Sequence, residues 1–536
     1  LAGDRAKKAY CVVIDVGGAA RRRIGAAFLE GGIFEERASL DLEFVSDALP
    51  AVREDAALTE IARLPPRLRT PLLKGGPGAP PSSEQTAWPS ALKESIEAAV
   101  DTAQLAAVEA AAAAEPFALV QGPPGSGKTR TILAVASALL YGDAGPRSGE
   151  ARRARMLGSK TSLKATTRVG CSLRSAPTLF EAAPPRRRLL VAAPSNAAVD
   201  EVASRLLKDG VCGPDGRRRE VRLCRLGTIG GRRRGRRDAP RPIADAALLE
   251  AATLDRLASK QRGADDDPRI TALLGCDVIV ATLSGCARRE LAAAAAAAPG
   301  PLFDAVLVDE AAQATEASAY IPLRYGPERV VLVGDPAQLA ATLLSPATER
   351  AGYGQSLFER LWRGGHAAAL LDTQYRMPKA LCDVVSARFY AGRLRSARCT
   401  ASHTLPAALR GAGPALGQPL AFHDVADGVA HAPDRSWANP READVAAALV
   451  RELAHRAPGL DVAVVAAYRA QLDELRRALS RRCPGATVEV ATVDAFQGRE
   501  KDVVIVSCVR APTRSSDAPA SIGFLSDRHR LNVLLS

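Results

Sequence analysis

The stretch "LVQGPPGSGKTRTI", Leu119 to Ile132, runs an apolar segment into two prolines and three glycines, then a lysine, a threonine and the start of a helical pattern. Glycines at Gly122, Gly125 and Gly127 let backbone N–H groups turn inward at a helix N-terminus, where the helix dipole favours negative charge. A loop of this kind, with Pro123, Pro124 and Ser126 between the glycines, cradles phosphates. Lys128 would reach the β- and γ-phosphates and Thr129 would ligate Mg2+. The other half of such a site is a carboxylate at the end of a buried strand. "AVLVDEAAQ" supplies it, with Asp309 for the Mg2+ shell and Glu310 to polarise the attacking water. Four apolar residues precede this pair, which places it at the carboxyl edge of a central strand, where open α/β sheets bind ligands. The two stretches together predict Mg2+-ATP binding and hydrolysis, and leave kinases, transport ATPases and motors open.

From Lys93 the pattern turns helical, with Ile96, Val100, Leu105 and Val108 on one face, and short Val/Leu strands then alternate with helices. That alternation predicts an α/β fold of parallel sheets flanked by helices. A first strand series comprises "FALVQ", "RLLVAAP", "DVIVAT", "FDAVLVDE" and "RVVLVGD". A second, "PLAFHDV", "LDVAVVAAY", "TVEVATV" and "KDVVIVSCV", follows the irregular "LSPATERAGYGQ". The expected division is an N-terminal accessory region at 1–92, a first domain at 93–345 with insertions near 143–185 and 208–269, and a second domain at 346–536. The accessory region, with "YCVVIDV", "LDLEFV" and the connector-like "LPPRLRTPLLKGGPGAPP", reads as a stalk or a small β-rich unit.

Composition narrows the partners. The chain has 536 residues, long enough for two to four domains. Apolar residues make up 47%, much of it alanine, and no run suggests a membrane span or a leader peptide. Ten cysteines are dispersed without a Cys-x-x-Cys pair, against a zinc module or a disulfide framework. A reducing intracellular compartment fits, nucleus or cytoplasm, with the nucleus favoured. The net charge of +13, with arginine runs at Arg186–Arg188, Arg217–Arg219 and Arg232–Arg237, suits a polyanion such as nucleic acid. The same runs also fit solvated loops or coding bias, and both readings stay open.

The motifs decide what the ATPase acts on. "QGPPGSGKT", "APSNAAVDE", "ATLSG", "DEAAQATE", "GDPAQL", "QYRM", "VDAFQGREKDVVIVSCVRA" and "IGFLSDRHRLNV" occur in that order. From about Leu92 onward the chain thereby resembles the superfamily 1 (class B) helicases of the nonsense-decay and senataxin type. "DEAAQATE", "IPLRYG" and "SLFERL" look most like the senataxin branch. The resemblance implies two tandem RecA-like P-loop domains and a set of site residues. Gln104 would recognise adenine, Tyr375 would stack on it, Arg376 would reach the γ-phosphate and Glu500 would contact the ribose. Gln338 would link the γ-phosphate to nucleic-acid binding, and Ser195, Asn196, Thr282, Thr492 and Gln497 would touch a strand backbone. Such hydroxyls and amides hold phosphates and sugars without reading bases. "PSNAAVDE" is also an N-cap signal centred on Asn196, and the two roles are compatible.

The implied function is an ATP-dependent helicase or translocase on single-stranded RNA or DNA or on RNA/DNA hybrids, with ATP and Mg2+ as cofactors and no membrane partner. The chain departs from the family at Ala340 and Ala341, where two prolines are usual, and at "QYRMP", one residue shorter than the family pattern. The sequence as given ends at "RLNVLLS", before the family's arginine finger. On that ground the alternative expectation is an ATP-binding nucleic-acid clamp with weak turnover.

Overall fold

A computed structural model describes residues 10–16, 24–30, 49–74, 88–113, 116–142, 187–229, 245–261, 267–298, 300–343, 345–403, 405–432, 436–510 and 522–536. The apolar stretch "LDLEFV", the 143–185 insertion and the arginines 232–237 lie outside these residues. β1 (Tyr10–Val16) and β2 (Ile24–Glu30) form an antiparallel pair.

The centre of the first half is a seven-stranded sheet. It takes β3 (Phe117–Gln121), β4 (Leu189–Ala193), β7 (Leu223–Arg225), β8 (Val278–Thr282), β9 (Ala305–Val308), β10 (Arg329–Gly334) and β11 (Ala368–Leu370) in the order β11-β3-β10-β9-β4-β8-β7. Every pairing is parallel. Two short strands, β5 (Val211–Cys212) and β6 (Arg218–Arg219), form a separate hairpin. The central strands read as unbroken apolar runs because helices cover both faces. Alternate residues go to opposite faces: Phe117 and Leu119 of β3 join one core cluster, Ala118 and Val120 the other.

The second cluster is closed by α3 (Ser90–Ala99), α4 (Thr102–Ala112), α5 (Lys128–Tyr141) and α6 (Asn196–Asp209). The first is closed in part by α1 (Leu49–Glu60) and α2 (Pro66–Lys74), through Ala57, Ile61, Leu64, Leu68 and Leu72. The expected β-rich or stalk-like region is therefore helical over 49–74, packed on the first sheet. Half of the connector-like stretch is α2. Pro66 opens that helix, where a missing N–H costs nothing, so its proline density did not signal a linker.

Two further expectations change. The first sheet does not stop at 345, because helix α7 (Leu357–Arg363) packs Leu357, Phe358 and Leu361 into the first cluster and β11 pairs with β3. "AAL" is too short and alanine-rich to announce a strand. Nor is 208–269 simply an insertion, since β7 within it is the edge strand beside β8 and Leu249 and Leu254 are core.

The second half has a smaller parallel sheet, β15 (Val488–Thr492), β14 (Val462–Ala466) and β16 (Val503–Ser507), with β14 central. Two short strands, β12 (Thr373–Gln374) and β13 (Arg395–Ser396), pair beside α8 (Lys379–Phe389). Helices α9 (Pro440–Arg456) and α10 (Arg469–Arg482) cover one face of the smaller sheet. Val533 and Leu534 of α11 (Arg528–Leu535) pack on the other. "PLAFHDV" forms no strand, and its Phe422 is 89% exposed: an apolar alternation without a neighbouring edge has no ladder to join. No helix among the described residues is long and apolar enough to cross a membrane.

Candidate active site

The phosphate loop leaves β3 and is tied to β10 by the Gly122 N–H, which donates to the Gly334 carbonyl at 3.0 Å. Gly125 and Gly127 have φ of 68° and 77°, left-handed values that suit glycine, and Gly127 caps α5. The Lys128 stem lies across Gly122, where an added Cβ would stand 2.2 Å from Lys128 Cγ. Pro123 and Pro124 are buried, and the Ser126 hydroxyl donates to the Pro123 carbonyl at 2.7 Å, closing the loop on itself. Thr129 sits in the first turn of α5.

The carboxylates follow β9, as their spacing predicted. Lys128 Nζ meets Glu310 Oε1 at 3.2 Å, and Gln313 Nε2 donates to Glu310 Oε2 at 2.6 Å. Glu310 has φ 51°, a left-handed conformation costing a non-glycine residue on the order of 1–2 kcal/mol. Its N–H donates to Asp309 Oδ1 at 2.8 Å. Burial and the neighbouring Glu310 charge push the Asp309 carboxyl up to about 7. Burial pulls the Lys128 ammonium down, but Glu310, Asp309 and Asp335 together outweigh it and hold the ammonium above its ordinary value.

On the far side of the loop, Asp101 caps α4 in a reciprocal box: its Oδ1 accepts the Gln104 N–H at 2.8 Å, and Gln104 Oε1 accepts the Asp101 N–H at 3.2 Å. Gln104 Nε2 donates to the Ser126 carbonyl at 3.0 Å, so this buried amide lies against the phosphate loop. The expected single helical face from Lys93 is thus two helices, broken at Val100 and Asp101. Tyr375 comes to the same place from the second half. Its hydroxyl donates to Asp101 Oδ2 at 2.6 Å and its N–H to the Gly125 carbonyl at 2.8 Å. Arg376 follows, its Cβ 2.6 Å from where a Cβ on Gly125 would lie, and its Nε donates to Glu500 Oε2 at 2.7 Å. Glu500, implied by the resemblance to contact ribose, is here the partner of Arg376.

Gln338 belongs to a cluster that the sequence reading did not assemble. Asp335, at the end of β10, accepts from Gln121 Nε2 at 3.2 Å, Gln338 Nε2 at 2.8 Å and the Tyr390 hydroxyl at 2.6 Å. Asn532 Nδ2 donates to the Tyr390 hydroxyl at 2.8 Å and to the Ala337 carbonyl at 2.9 Å. His529 Nδ1 donates to the Gln338 carbonyl at 2.7 Å. Asp335 stands inside the quoted "GDPAQL", and its burial after an apolar strand is the signal that would have found it.

The five expected nucleic-acid residues stand at or just beyond the carboxyl ends of strands. Ser195, not Asn196, caps α6, accepting the Ala198 N–H at 3.2 Å. Asn196 opens that helix and accepts from Arg225 Nη2 at 3.0 Å. Thr282 ends β8, the neighbour of β4, and accepts the Gly285 N–H at 3.0 Å. Thr492 ends β15 and caps the turn Val493–Phe496, and Gln497 just beyond has its buried Nε2 unpartnered among the described residues. The arginine runs divide. Arg187 and Arg188 donate to the Leu139 and Leu274 carbonyls and serve the first domain's structure, whereas Arg217, Arg218 and Arg219 are exposed.

A strand, glycine loop and helix, with an acidic pair at the end of a strand two places along the same sheet and a second α/β half beside them, define a tandem-domain P-loop nucleotide-binding protein. Two family models, both described as AAA domain, match residues 99–252 with 251–346 and residues 353–536. Helicase SEN1 of Saccharomyces cerevisiae is 30% identical over 85% of this chain and 23% of its own length. A Dictyostelium discoideum protein named as a probable helicase is 31% identical over 84% of this chain and 51% of its own length. "Probable helicase MAGATAMA 3" of Arabidopsis thaliana is 30% identical over 82% of this chain and 57% of its own. The chain thus spans about half the length, or less, of these relatives. It belongs to the superfamily 1 helicases of the nonsense-decay and senataxin group.

Proposed function

We propose that the chain is an ATP-dependent helicase or translocase that couples hydrolysis of Mg2+-ATP to movement along single-stranded RNA or DNA, including strands of RNA/DNA hybrids. The observation that carries this reading is the continuous polar path from the phosphate loop into the second half. Gln121, the residue before the phosphate loop, donates to Asp335, which is bonded to Gln338 and Tyr390, and through Tyr390 to Asn532.

Each side chain has a physical task. Gln104 spends one lone pair on the Asp101 N–H and one hydrogen on the Ser126 carbonyl, which leaves one acceptor and one donor, the pair that reads adenine's amino edge. Tyr375 brings a ring to the same place. Lys128 exchanges Glu310 for phosphate oxygens, and Glu310 is then free to polarise water. Thr129 and Asp309 offer a hydroxyl and a carboxylate oxygen, the hard donors that a divalent cation such as Mg2+ takes. Bound there, Mg2+ would neutralise phosphate charge. Arg376 leaves its exposed partner Glu500 for the γ-phosphate, which draws the second half onto the first. Ser195, Asn196, Thr282, Thr492 and Gln497 hold the strand backbone across the two sheets, and alternation of the two grips gives stepping.

The test is reciprocal linkage. A non-hydrolysable ATP analogue should shift poly(U) affinity at least about fivefold, and poly(U) should shift analogue affinity by the same factor. Poly(U) should also stimulate ATPase, and binding should weaken steeply with salt. Binding of both ligands without coupling or stimulation would leave only a clamp.

A further inference from the structure

Arg225, the last residue of β7, is 0% exposed, and its closest acidic partner, Asp200 on α6, is 6% exposed. A guanidinium has five donors and no acceptor, so everything it touches must turn an oxygen toward it. Its Nε donates to Asp200 Oδ1 at 2.8 Å, Nη1 to the Leu226 carbonyl, and Nη2 to the Thr228 carbonyl at 3.3 Å and to Asn196 Oδ1 at 3.0 Å. One side chain therefore ties the turn after β7 to the first residues of α6.

We propose that Arg225 is a positioning residue that locks the Asn196 amide so that its NH2 group, and not its carbonyl, faces a nucleic-acid backbone. This rests on the helicase reading above. The orientation is forced. Because Arg225 only donates, Oδ1 of Asn196 points inward and Nδ2 points away, and no described residue accepts from Nδ2. Phosphate and sugar oxygens chiefly accept, so an outward NH2 grips any sequence, whereas an outward carbonyl would oppose phosphate. A buried charge pair is an expensive way to hold a turn, and apolar side chains could do that alone. Selecting one of two amide orientations is something they cannot do. The signal in sequence is an arginine inside the apolar "RLCRLG", a residue type seldom found fully buried.

The test measures binding of a short fluorescein-labelled poly(U) strand by anisotropy, with the affinity for a fluorescent ATP analogue measured separately. Replacing the pair together, Arg225→Met with Asp200→Leu, avoids leaving one buried charge. It should weaken poly(U) binding about tenfold, the worth of one hydrogen bond to a charged group, with nucleotide affinity unchanged. In an Asn196→Ala background the same pair of substitutions should cause no further loss. Equal losses in both backgrounds, or no loss in either, would overturn the proposal. Asn196→Asp decides the matter even if the paired variant does not fold. Its carboxylate keeps the bond to Arg225 but presents an anionic oxygen outward, so it should bind poly(U) more weakly than Asn196→Ala does. Binding at least as tight as that of Asn196→Ala would overturn the proposal. If the unaltered chain fails to bind poly(U), the helicase reading falls with it, whereas binding with additive losses removes the positioning role alone.

Discussion

The two walls of the proposed nucleotide cleft are held differently. On the wall built from the first sheet, Asp309, Asp335, Gln338 and Gln104 are buried and bonded, and Lys128 is caught between its stem's seat on Gly122 and the Glu310 carboxylate. On the facing wall, Arg376 is 26% exposed and Glu500 68% exposed, and they meet as a solvent-reached ion pair. An exposed pair is worth about 0–1 kcal/mol, whereas the Lys128–Glu310 pair, 19% exposed on both sides, is screened less by solvent. One wall is fixed enough to receive phosphate in a set geometry. The other can exchange partners at little cost, which a cleft that closes and reopens requires.

The largest effects are expected at the fixed wall. Lys128→Ala removes the charge proposed to meet the phosphates and is expected to abolish measurable ATP binding by calorimetry. Glu310→Gln keeps the loop and the lysine, so ATP and nucleic acid should still bind while turnover falls by about 10²-fold or more. Parental turnover by Glu310→Gln, in a preparation whose ATPase responds to nucleic acid, would show that the carboxylate has been assigned wrongly.

Next in size is Tyr390→Phe. The hydroxyl is buried between Asp335 and Asn532, and its loss leaves the Asn532 amide short of an acceptor, at a cost of about 1–3 kcal/mol in unfolding by denaturant. ATP affinity should hold, because Tyr390 does not touch the phosphate loop, while the mutual dependence of ATP and nucleic-acid binding should weaken. Unchanged linkage would mean that the path through Asp335 is scaffolding.

These residues also show where sequence reading stops. The phosphate loop and the acidic pair were legible because each is a local arrangement, a turn and a strand end whose chemistry needs residues within a few positions of one another. Tyr375 and Arg376 were legible only through resemblance, since nothing near them in sequence reveals that they face Gly125. The Asp335 cluster was not assembled at all: Tyr390 is 55 residues from Asp335 and Asn532 is 142 from Tyr390, and no local pattern encodes such a meeting. The helices over 49–74 failed for another reason. Ala57, Ile61, Leu64, Leu68 and Leu72 do recur at helical spacing, but Pro65, Pro66 and Pro71 read as breakers although one of them opens a helix.

A smaller effect tests burial on the fixed wall. Asp309 is pushed up to about 7 from an ordinary 3.8. Between those values the folded, metal-free chain holds a proton that the unfolded chain has released, so stability falls as pH rises through that window. Asp309→Asn removes this slope. In EDTA the variant should melt a few degrees above the parent at about pH 8 and level with it near pH 4. Parallel melting curves at all pH values would show that the carboxyl titrates in the folded chain as it does in the unfolded one and that burial does not strain it.

The smallest expected effect lies where the two walls touch. Asp101 uses one oxygen to cap α4 through the Gln104 N–H and the other to receive the Tyr375 hydroxyl, so a single carboxylate joins the implied adenine reader to the implied adenine stacker. Asp101→Asn keeps a capping oxygen and replaces only the charged partner of Tyr375, exchanging a charge-assisted bond for a neutral one of about half the strength. Thermal stability should stay within about 0.5 kcal/mol of the parent, since asparagine caps as well as aspartate. ATP affinity should fall by about threefold, the scale of a weakened hydrogen bond. Asp101→Ala, which leaves the Tyr375 hydroxyl no partner there, should lose more affinity than Asp101→Asn and, in addition, about 1 kcal/mol of stability from the missing cap. The difference between the two variants separates the cap from the latch. If Asp101→Asn bound ATP as tightly as the parent, the Tyr375 contact would be incidental, and the mobile wall would meet the fixed one only through the phosphate loop and the Asp335 path.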